Sequence, residues 1–454
     1  MAAQRPMQKL PSGWARAFAV VAFVITFAVF GVAALTWRSA VPAIEPPART
    51  NFSAQRIEQG SLLAIAGNCI ACHTVQGGRA LAGGLPLTTP FGTIYSTNIT
   101  PEPDTGIGKW SQQAFDRSMR EGVDRRGSHL YPAFPYTHFT RINDEDLAAL
   151  YAYLMTRNPV RAPAPVNDLT FPLGFRPLLA GWKMLFFEPG KYRPNTAQSA
   201  EWNRGAYLAD GLAHCSACHS PRNAFGAERK HEYLSGGFAE GWYSPALNAA
   251  SPSPVPWTVN ELTAYLRSGL VENHAIAGGP MQDVVRSLGQ LPENDVRAIA
   301  SYIQSYMGGA TPEREALAKA SMQRAARPLE QVPAASTAAT GNNAANESVM
   351  RLGATVYADA CARCHNVGRE VSSGSGLQLP LAIALYEPTP ANLIRIVREG
   401  IMPREGEHGR WMPGFAGALT DAQLTALAHY LRRAAADAPP WPDVAGEIRK
   451  AQQR

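Results

Sequence analysis

The stretch Cys215-Ser216-Ala217-Cys218-His219 places two thiols one helical turn apart and an imidazole directly after the second thiol. This Cys-x-x-Cys-His spacing is the attachment signature of c-type haem, in which the thiols bond the porphyrin and the histidine binds the iron. The pattern occurs twice more, as Cys69-Ile70-Ala71-Cys72-His73 and as Cys361-Ala362-Arg363-Cys364-His365. We call these stretches, in chain order, strings 1, 2 and 3. They predict three covalently bound haem c groups, with His73, His219 and His365 as proximal iron ligands.

All six cysteines of the chain lie in these strings, so none is left for a disulfide framework. A zinc site is the first alternative, but zinc would need two further ligands for each cysteine pair, and no second Cys-x-x-Cys or spaced histidine pair accompanies them. A thioredoxin-like redox pair is the second alternative, and it has no fixed histidine after the second cysteine. Three coincident matches favour haem attachment through Cys69, Cys72, Cys215, Cys218, Cys361 and Cys364.

Two methionines recur at one position of the repeat, counted from the glycine of an Arg-x-Gly triplet. Gly269 and Met281 are separated by twelve positions, and so are Gly400 and Met412. A thioether opposite a histidine suits reversible electron transfer and raises the reduction potential of a haem. A methionine that merely fills the core is the alternative, but the repeated offset favours Met281 and Met412 as sixth iron ligands.

The first copy departs from this pattern, because the same count from Gly122 arrives at Phe134, which cannot bind iron. His129 and His138 lie nearby in the sequence, and either would give a bis-histidine haem. We expect His138 to be the sixth ligand of the first haem. The alternatives are that His138 is a solvated loop residue, and that the first haem is five-coordinate or has a ligand of another kind.

A chain of 454 residues has room for about three domains, which agrees with three haem strings. Charged residues make up 17% of the chain, the net charge is +6, and no basic run with interleaved aromatic residues is present. This composition gives no support for nucleic-acid binding. We expect haem-binding domains over 51–156, 201–308 and 347–435, joined by an apolar connecting segment (157–200) and a flexible linker (309–346), and followed by a tail (436–454).

Residues 17–35 form an apolar run whose one clearly polar member is Thr26, and Trp14 and Trp37 flank it. Its length is close to the ~20 residues that a helix needs to cross a bilayer, and tryptophan favours the membrane interfaces. Basic residues precede the run, so we expect residues 1–13 in the cytoplasm and the haem domains on the periplasmic side of a bacterial inner membrane. We predict one transmembrane anchor over 14–37; a signal peptide cleaved near 40–43 is the alternative.

The chain resembles the triheme cytochrome c subunits of bacterial membrane-bound dehydrogenases, over about residues 52–435. The marks of this resemblance are the three strings, the loop 93–100 with Thr105-Gly106-Ile107-Gly108 and Trp110-Ser111, and His129-Leu130-Tyr131-Pro132-Ala133. The family includes the cytochrome subunits of alcohol, gluconate and fructose dehydrogenases and of molybdenum hydroxylases. The resemblance implies a mostly α fold of three tandem cytochrome c domains, here expected behind an N-terminal transmembrane helix.

In this family a partner subunit oxidises the substrate, and the cytochrome relays electrons to ubiquinone or to a terminal oxidase. Relatives from alcohol and gluconate dehydrogenases carry methionine where this chain has Phe134, whereas Phe134 followed by His138 resembles the cytochromes of molybdenum hydroxylases. The resemblance therefore implies a molybdenum hydroxylase with an iron–sulfur subunit as partner, and a flavin or PQQ dehydrogenase as the alternative. The family's first methionine ligand cannot be transferred to this chain.

We expect an electron-transfer subunit without a substrate-oxidising site of its own, because the sequence has no nucleotide-binding glycine fingerprint, nucleophile elbow or paired-carboxylate signature. The alternative class is a haem enzyme of the peroxidase kind, or a gas sensor, that uses an open first haem. Both would require a free or easily displaced sixth position on that iron.

Overall fold

The computed structural model describes residues 17–23, 31, 36–309, 311–329, 342–366, 377–402 and 411–453. One arrangement of helices occurs three times along the described chain. In each of these units a first helix leads into a haem string, and a closing helix packs across the first. The mostly helical prediction is confirmed.

The helices are numbered here in chain order. The first unit contains α1 (Ala54–Ala66), α2 (Cys69–Cys72), α3 (Gln112–Glu121), α4 (Tyr136–Phe139) and α5 (Asp144–Met155), and α6 (Leu178–Phe186) lies in the connecting segment. The second unit contains α7 (Ala200–Asp210), α8 (Ser216–His219), α9 (Val259–Ser268), α10 (Pro280–Leu288) and α11 (Glu293–Tyr306). After α12 (Pro312–Ala325), the third unit contains α13 (Asn342–Val356), α14 (Ala362–His365), α15 (Ala391–Glu399) and α16 (Asp421–Ala434), and α17 (Val444–Gln452) lies in the tail.

Short antiparallel strands lie beside the helices. A three-stranded sheet has the order β1 (Pro86–Thr89), β2 (Gly92–Tyr95) and β3 (Asp168–Leu169). Two hairpins are formed by β4 (Gly237–Ala239) with β5 (Trp242–Ser244), and by β6 (Leu270–Val271) with β7 (Ala275–Ile276). Because β3 belongs to the connecting segment, its pairing with β2 ties that segment to the first unit.

Each first helix crosses its closing helix at a glycine. A Cβ atom at that glycine would meet a carbonyl oxygen of the closing helix at 1.9 Å (Gly60 and Ala149), 1.9 Å (Gly205 and Ala298) or 2.2 Å (Gly353 and Ala426). Four residues after each of these alanines comes a tyrosine whose Cβ is also near the glycine (Tyr153, Tyr302, Tyr430). These tyrosines therefore pack against the first helix of their unit.

Units one and two share a single apolar core, whereas the third unit has its own. Polar contacts cross the boundary between units one and two: the Tyr207 hydroxyl donates to Asp146 Oδ2 at 2.5 Å, and the His138 and Glu228 side chains meet at 2.7 Å. These groups are largely removed from water, so their pairing is needed to satisfy them. The two units are therefore packed as one body.

The third unit is joined to the second by contacts that include one amide side chain and one guanidinium group. Asn392 Oδ1 accepts from the Tyr243 backbone N–H at 2.9 Å, and Asn392 Nδ2 donates to the Tyr243 carbonyl at 2.7 Å. The guanidinium of Arg395 donates to the Gly241 carbonyl at 2.8 Å from the same face of α15. The Asn392 amide thus makes the two hydrogen bonds with β5 that the backbone of a neighbouring strand would make.

The prediction of a transmembrane anchor over 14–37 is wrong. Within the described residues, no helix combines the length and the apolar character that a membrane crossing requires. Within this stretch, the described residues 17–23, 31 and 36 are helical. Residues 1–16, 24–30 and 32–35 lie outside the described residues. The prediction of a transmembrane helix in front of the cytochrome domains is therefore corrected. The predicted single-pass location in the inner membrane is not supported either.

The predicted flexible linker 309–346 is partly structured. Thr311 caps α12, and Ser321 and Ala325 of this helix are buried. The Ser321 hydroxyl lies 3.1 Å from the Tyr386 hydroxyl of the third unit, so α12 is attached to that unit through a side-chain hydrogen bond. The rest of the linker near 330–341 lies outside the described residues. The tail docks on the third unit as expected, since Trp441 is buried and its indole N–H donates to the Glu387 carbonyl at 2.9 Å.

We expect Gly205→Ala to lower the free energy of unfolding by about 1–3 kcal/mol or more, because the new methyl group must displace a backbone carbonyl of α11. Thermal unfolding of the full chain measures this. Gly181→Ala is the matched control, since a Cβ at Gly181 in α6 meets nothing within 4 Å. Equal melting temperatures for the two variants would contradict the proposed role of the crossing glycine.

The contact between His138 and Glu228 makes stability depend on pH. Burial raises the pKa of Glu228, but the hydrogen bond and charge of His138 and the Ser216 hydroxyl outweigh burial and bring it from 4.5 to about 2. A carboxyl group whose pKa falls on folding contributes stability that is complete above pH 4.5 and is lost as the pH falls toward 2. We expect the melting temperature to drop across this window, and to drop less in Glu228→Gln. The control Glu145→Gln, at an exposed position, should keep the wild-type slope; a Glu228→Gln slope equal to wild type would be the contrary result.

Candidate functional site

Each haem string starts close to the end of the first helix of its unit and forms one short helical turn. In strings 1 and 2 the residue before the first cysteine is left-handed, with φ of 48° at Asn68 and 37° at His214. String 3 is entered differently, through a π-helical turn over Tyr357–Cys361 that continues α13. All six cysteines are free thiols in the structure.

The three histidines of the strings share one hydrogen bond. Each places Nδ1 beside a backbone carbonyl oxygen: His73 and Thr97 at 2.6 Å, His219 and Pro245 at 2.7 Å, His365 and Leu377 at 2.9 Å. A carbonyl only accepts, so Nδ1 carries the proton and Nε2 keeps its lone pair. Burial lowers the pKa of all three rings, which favours this neutral form. A neutral imidazole oriented through Nδ1 is what an iron ligand requires.

Several of the cysteine thiols are removed from water. Burial raises the pKa of Cys69 and of Cys215 to about 12, and that of Cys361 to about 11. Paired thiols beside an oriented imidazole fit the two thioether bonds and the single iron ligand of haem c.

The loops that follow α3 and α9 are built alike. Each helix ends at a left-handed glycine, Gly122 with φ 60° and Gly269 with φ 76°. The glycine carbonyl accepts a backbone hydrogen bond from Leu130 in the first unit and from Ala277 in the second, each at 2.7 Å. Four residues beyond these donors stand Phe134 and Met281. The count that relates Phe134 to Met281 therefore starts from the same hydrogen bond in both units.

The loops of the two predicted methionine ligands are held in different ways. Gly279 packs on the indole of Trp242 just before Met281, which begins α10 after Pro280. Met412 is paired with Ile401 by two backbone hydrogen bonds of 2.8 and 2.9 Å. Both thioethers are thus carried by constrained backbone, although residues 403–410 before Met412 lie outside the described residues.

His138, predicted as the sixth ligand of the first haem, lies at the boundary with the second unit. Its Nδ1 is 3.1 Å from the Asp210 carbonyl oxygen, and its Nε2 is 2.7 Å from Glu228 Oε1. Both ring nitrogens are therefore engaged by oxygen atoms of the second unit. Iron ligation by His138 would require one of these two contacts to break.

String 1 lies next to elements of the second unit. The Ser287 hydroxyl of α10 donates to Asn68 Oδ1 at 2.7 Å, directly before Cys69. Burial raises the pKa of the Cys72 thiol to about 11. The nearby charges of Cys218 and Asp283 contribute smaller increases. The start of string 1 is therefore fixed to α10 of the second unit.

Sequence reasoning missed Asn68, Ser287 and Glu228. Ser287 lies 219 positions from Asn68, and Glu228 lies 90 positions from His138. No spacing rule relates residues so distant. The left-handed conformation of Asn68 does have a local signal, because asparagine tolerates that region better than most residues.

Two parts of the chain match known families. Residues 57–158 match the family described as Cytochrome c, and residues 348–431 match the family described as Cytochrome C oxidase, cbb3-type, subunit III. These segments correspond to the first and third helical units.

Several relatives match most of the chain. A nicotinate dehydrogenase subunit from Pseudomonas putida is 47% identical over 428 residues, which cover 92% of this chain and 34% of that protein, so the chain spans about a third of its length. The fructose dehydrogenase cytochrome subunit of Gluconobacter japonicus is 36% identical, over 85% of this chain and 81% of that protein. The gluconate 2-dehydrogenase cytochrome c subunit of Pantoea cypripedii is 38% identical, over 83% and 85%. These matches confirm covalently bound haem c, and they establish that the chain belongs to the family of cytochrome c subunits of dehydrogenases.

Proposed function

We propose that this chain is a triheme cytochrome c that carries electrons from a catalytic dehydrogenase subunit to the respiratory chain. The observation that supports three haems is the threefold repetition of one donor set: a pair of thiols and an imidazole oriented by a backbone carbonyl. When bound, haem c supplies a one-electron iron couple. His73, His219 and His365 are the proposed proximal ligands, with Met281 and Met412 opposite the second and third of them.

The protein's part in this function is to hold the strings at fixed positions. The shared core of units one and two, with the Ser287 to Asn68 hydrogen bond, fixes string 1 relative to α10. The Asn392 pairing with Tyr243 fixes the third unit relative to the second. A site carried by packed helices keeps its geometry better than one carried by loops, which suits a chain of redox centres.

The partner that we propose is a molybdenum hydroxylase with an iron–sulfur subunit, acting on an aldehyde or an N-heterocycle. Two observations support this choice over a flavin or PQQ dehydrogenase. The relative named as a nicotinate dehydrogenase subunit is 47% identical, whereas those named for fructose and gluconate dehydrogenases are 36% and 38% identical. The segment with Phe134 and His138 also resembles the cytochromes of molybdenum hydroxylases. Ubiquinone or a terminal oxidase is the proposed acceptor.

The haem count is tested with string 3. We expect the intact mass of the wild-type chain to include three covalent haems, and that of the double variant Cys361→Ala/Cys364→Ala to include two, because both thioether bonds of one string are removed. Arg363→Lys, inside the same string, is the matched control and should keep three. Equal haem numbers in the wild type and the double variant would contradict haem attachment at string 3.

The partner is tested by purifying the tagged full-length chain from its own host and identifying co-purifying proteins by mass spectrometry. We expect a molybdenum hydroxylase, and reduction of the haem absorption bands when its substrate is added to the complex. Recovery of a flavin or PQQ dehydrogenase would keep the relay function and change the substrate to a sugar or an alcohol. A chain that carries its haems but recovers no dehydrogenase would contradict the proposal.

A further inference from the structure

We infer that the first unit gives its haem iron no protein ligand opposite His73, and that the side formed by Phe134 takes a small neutral diatomic molecule such as CO or NO. This inference rests on the proposed function, because it requires haem at string 1. It concerns one of the three sites and leaves Met281 and Met412 as ligands of the other two.

The ligand position of the first unit is occupied by Phe134. The Gly122 and Gly269 loops use the same carbonyl hydrogen bond, and the residue four positions beyond the donor is Phe134 in one loop and Met281 in the other. The two loops thus share their first hydrogen bond and the count from it to these side chains. A phenyl ring has no lone pair for iron, so this slot supplies packing and no coordination.

His138 cannot replace the missing thioether while it pairs with Glu228. Both of its ring nitrogens are engaged, Nδ1 by the Asp210 carbonyl oxygen and Nε2 by the Glu228 carboxyl group, so neither can reach iron without losing a contact. The carboxylate is held in turn by the Ser216 hydroxyl at 2.7 Å. Removing one partner of a largely buried pair leaves a charge without compensation, which makes exchange of Glu228 for iron unfavourable.

His129 is also engaged at both nitrogens. Its Nε2 lies 3.1 Å from the Thr36 carbonyl and its Nδ1 lies 3.0 Å from Lys183 Nζ. The carbonyl requires a donating Nε2, and the amine then donates to Nδ1. Its backbone position, paired with Val123, corresponds to Ile276 of the second unit and not to Met281.

The remaining sulfur donors of the first unit, which is described without a gap, belong to its core. Met119 of α3 is 5% exposed and Met155 of α5 is 4% exposed, and both are members of the shared apolar cluster. Met119 stands three residues before Gly122, where the second unit has Leu266. Their positions in the repeat are those of packing residues.

His214 of the second unit is the remaining candidate for the sixth ligand of the first haem, and an experiment must test it. His214 is not bonded to another side chain, and burial, together with the neighbouring His138 cation, lowers its pKa to about 4, so it is neutral. Its ring lies 5.9 Å from Phe139, whose ring lies 5.3 Å from Phe134. Phe139 therefore lies between His214 and Phe134.

The two phenyl rings indicate which ligand would be accepted. Phe134 and Phe139 meet edge to face, and neither offers a hydrogen-bond donor to a bound anion or to peroxide. An apolar distal side disfavours charged ligands, because they lose hydration without gaining a partner. Neutral diatomic molecules that bind ferrous haem avoid this cost, since polarity and steric access of the distal side select the ligand.

The test is a CO titration of the fully reduced holoprotein, followed by absorption spectroscopy, with NO binding followed by EPR. We expect one haem in three to bind CO. Phe134→Met should restore a thioether at this slot, make the haem six-coordinate and reduce CO binding to near zero. Phe134→Leu, which keeps an apolar side chain without a donor, is the matched control and should still bind CO. Met281→Ala removes the proposed sixth ligand of the second haem. Its additional absorption change shows how large a signal CO binding to one haem produces.

Wild-type protein with three haems and no CO binding would overturn the inference. So would the appearance of new CO binding in His138→Gln, His129→Gln or His214→Gln, because that change would identify the missing ligand. A wild-type chain with fewer than three haems would contradict the proposed function instead, which keeps the two failures distinguishable.

Discussion

The close crossing of a first helix and a closing helix is the contact on which each unit depends. A glycine at the crossing lets the backbones approach until a hydrogen on Cα faces a carbonyl oxygen, and no larger residue fits at Gly60, Gly205 or Gly353. The haem string follows the first helix after only a few residues, so the crossing also sets where its thiols and imidazole point. The same contact in three units explains why their donor sets are alike although much of the sequence between them differs.

The units are then joined in two different ways. Units one and two merge their apolar cores, so the separation of strings 1 and 2 is set by side-chain packing and not by the length of the connecting segment. The third unit keeps its own core and is held by Asn392 and Arg395 against the edge strand β5 and its hairpin turn. Electron transfer along the chain needs both contacts between units, because a redox centre that moves freely does not keep a fixed distance to the next one.

The first unit shows how one repeat can change its chemistry while keeping its backbone. The loop from Gly122 repeats the hydrogen bond of the Gly269 loop, yet it presents Phe134 where the other presents Met281. The nearby imidazole of His138 lies at the boundary between units one and two, where its Nε2 is 2.7 Å from Glu228. In this structure the side chain takes part in the packing of the two units.

Local sequence determined the three Cys-x-x-Cys-His strings and the mostly helical fold, since the spacing of a string acts within one turn. Tertiary structure alone decided the partners of His138, the Asn68 to Ser287 contact and the helix at Pro312–Ala325 inside an expected linker. Apolar length suggested a membrane helix that the described residues do not contain. The physical reason is that hydrogen-bond partners and charge states depend on groups that packing brings within about 3 Å from far along the chain, and neither periodicity nor spacing carries that information.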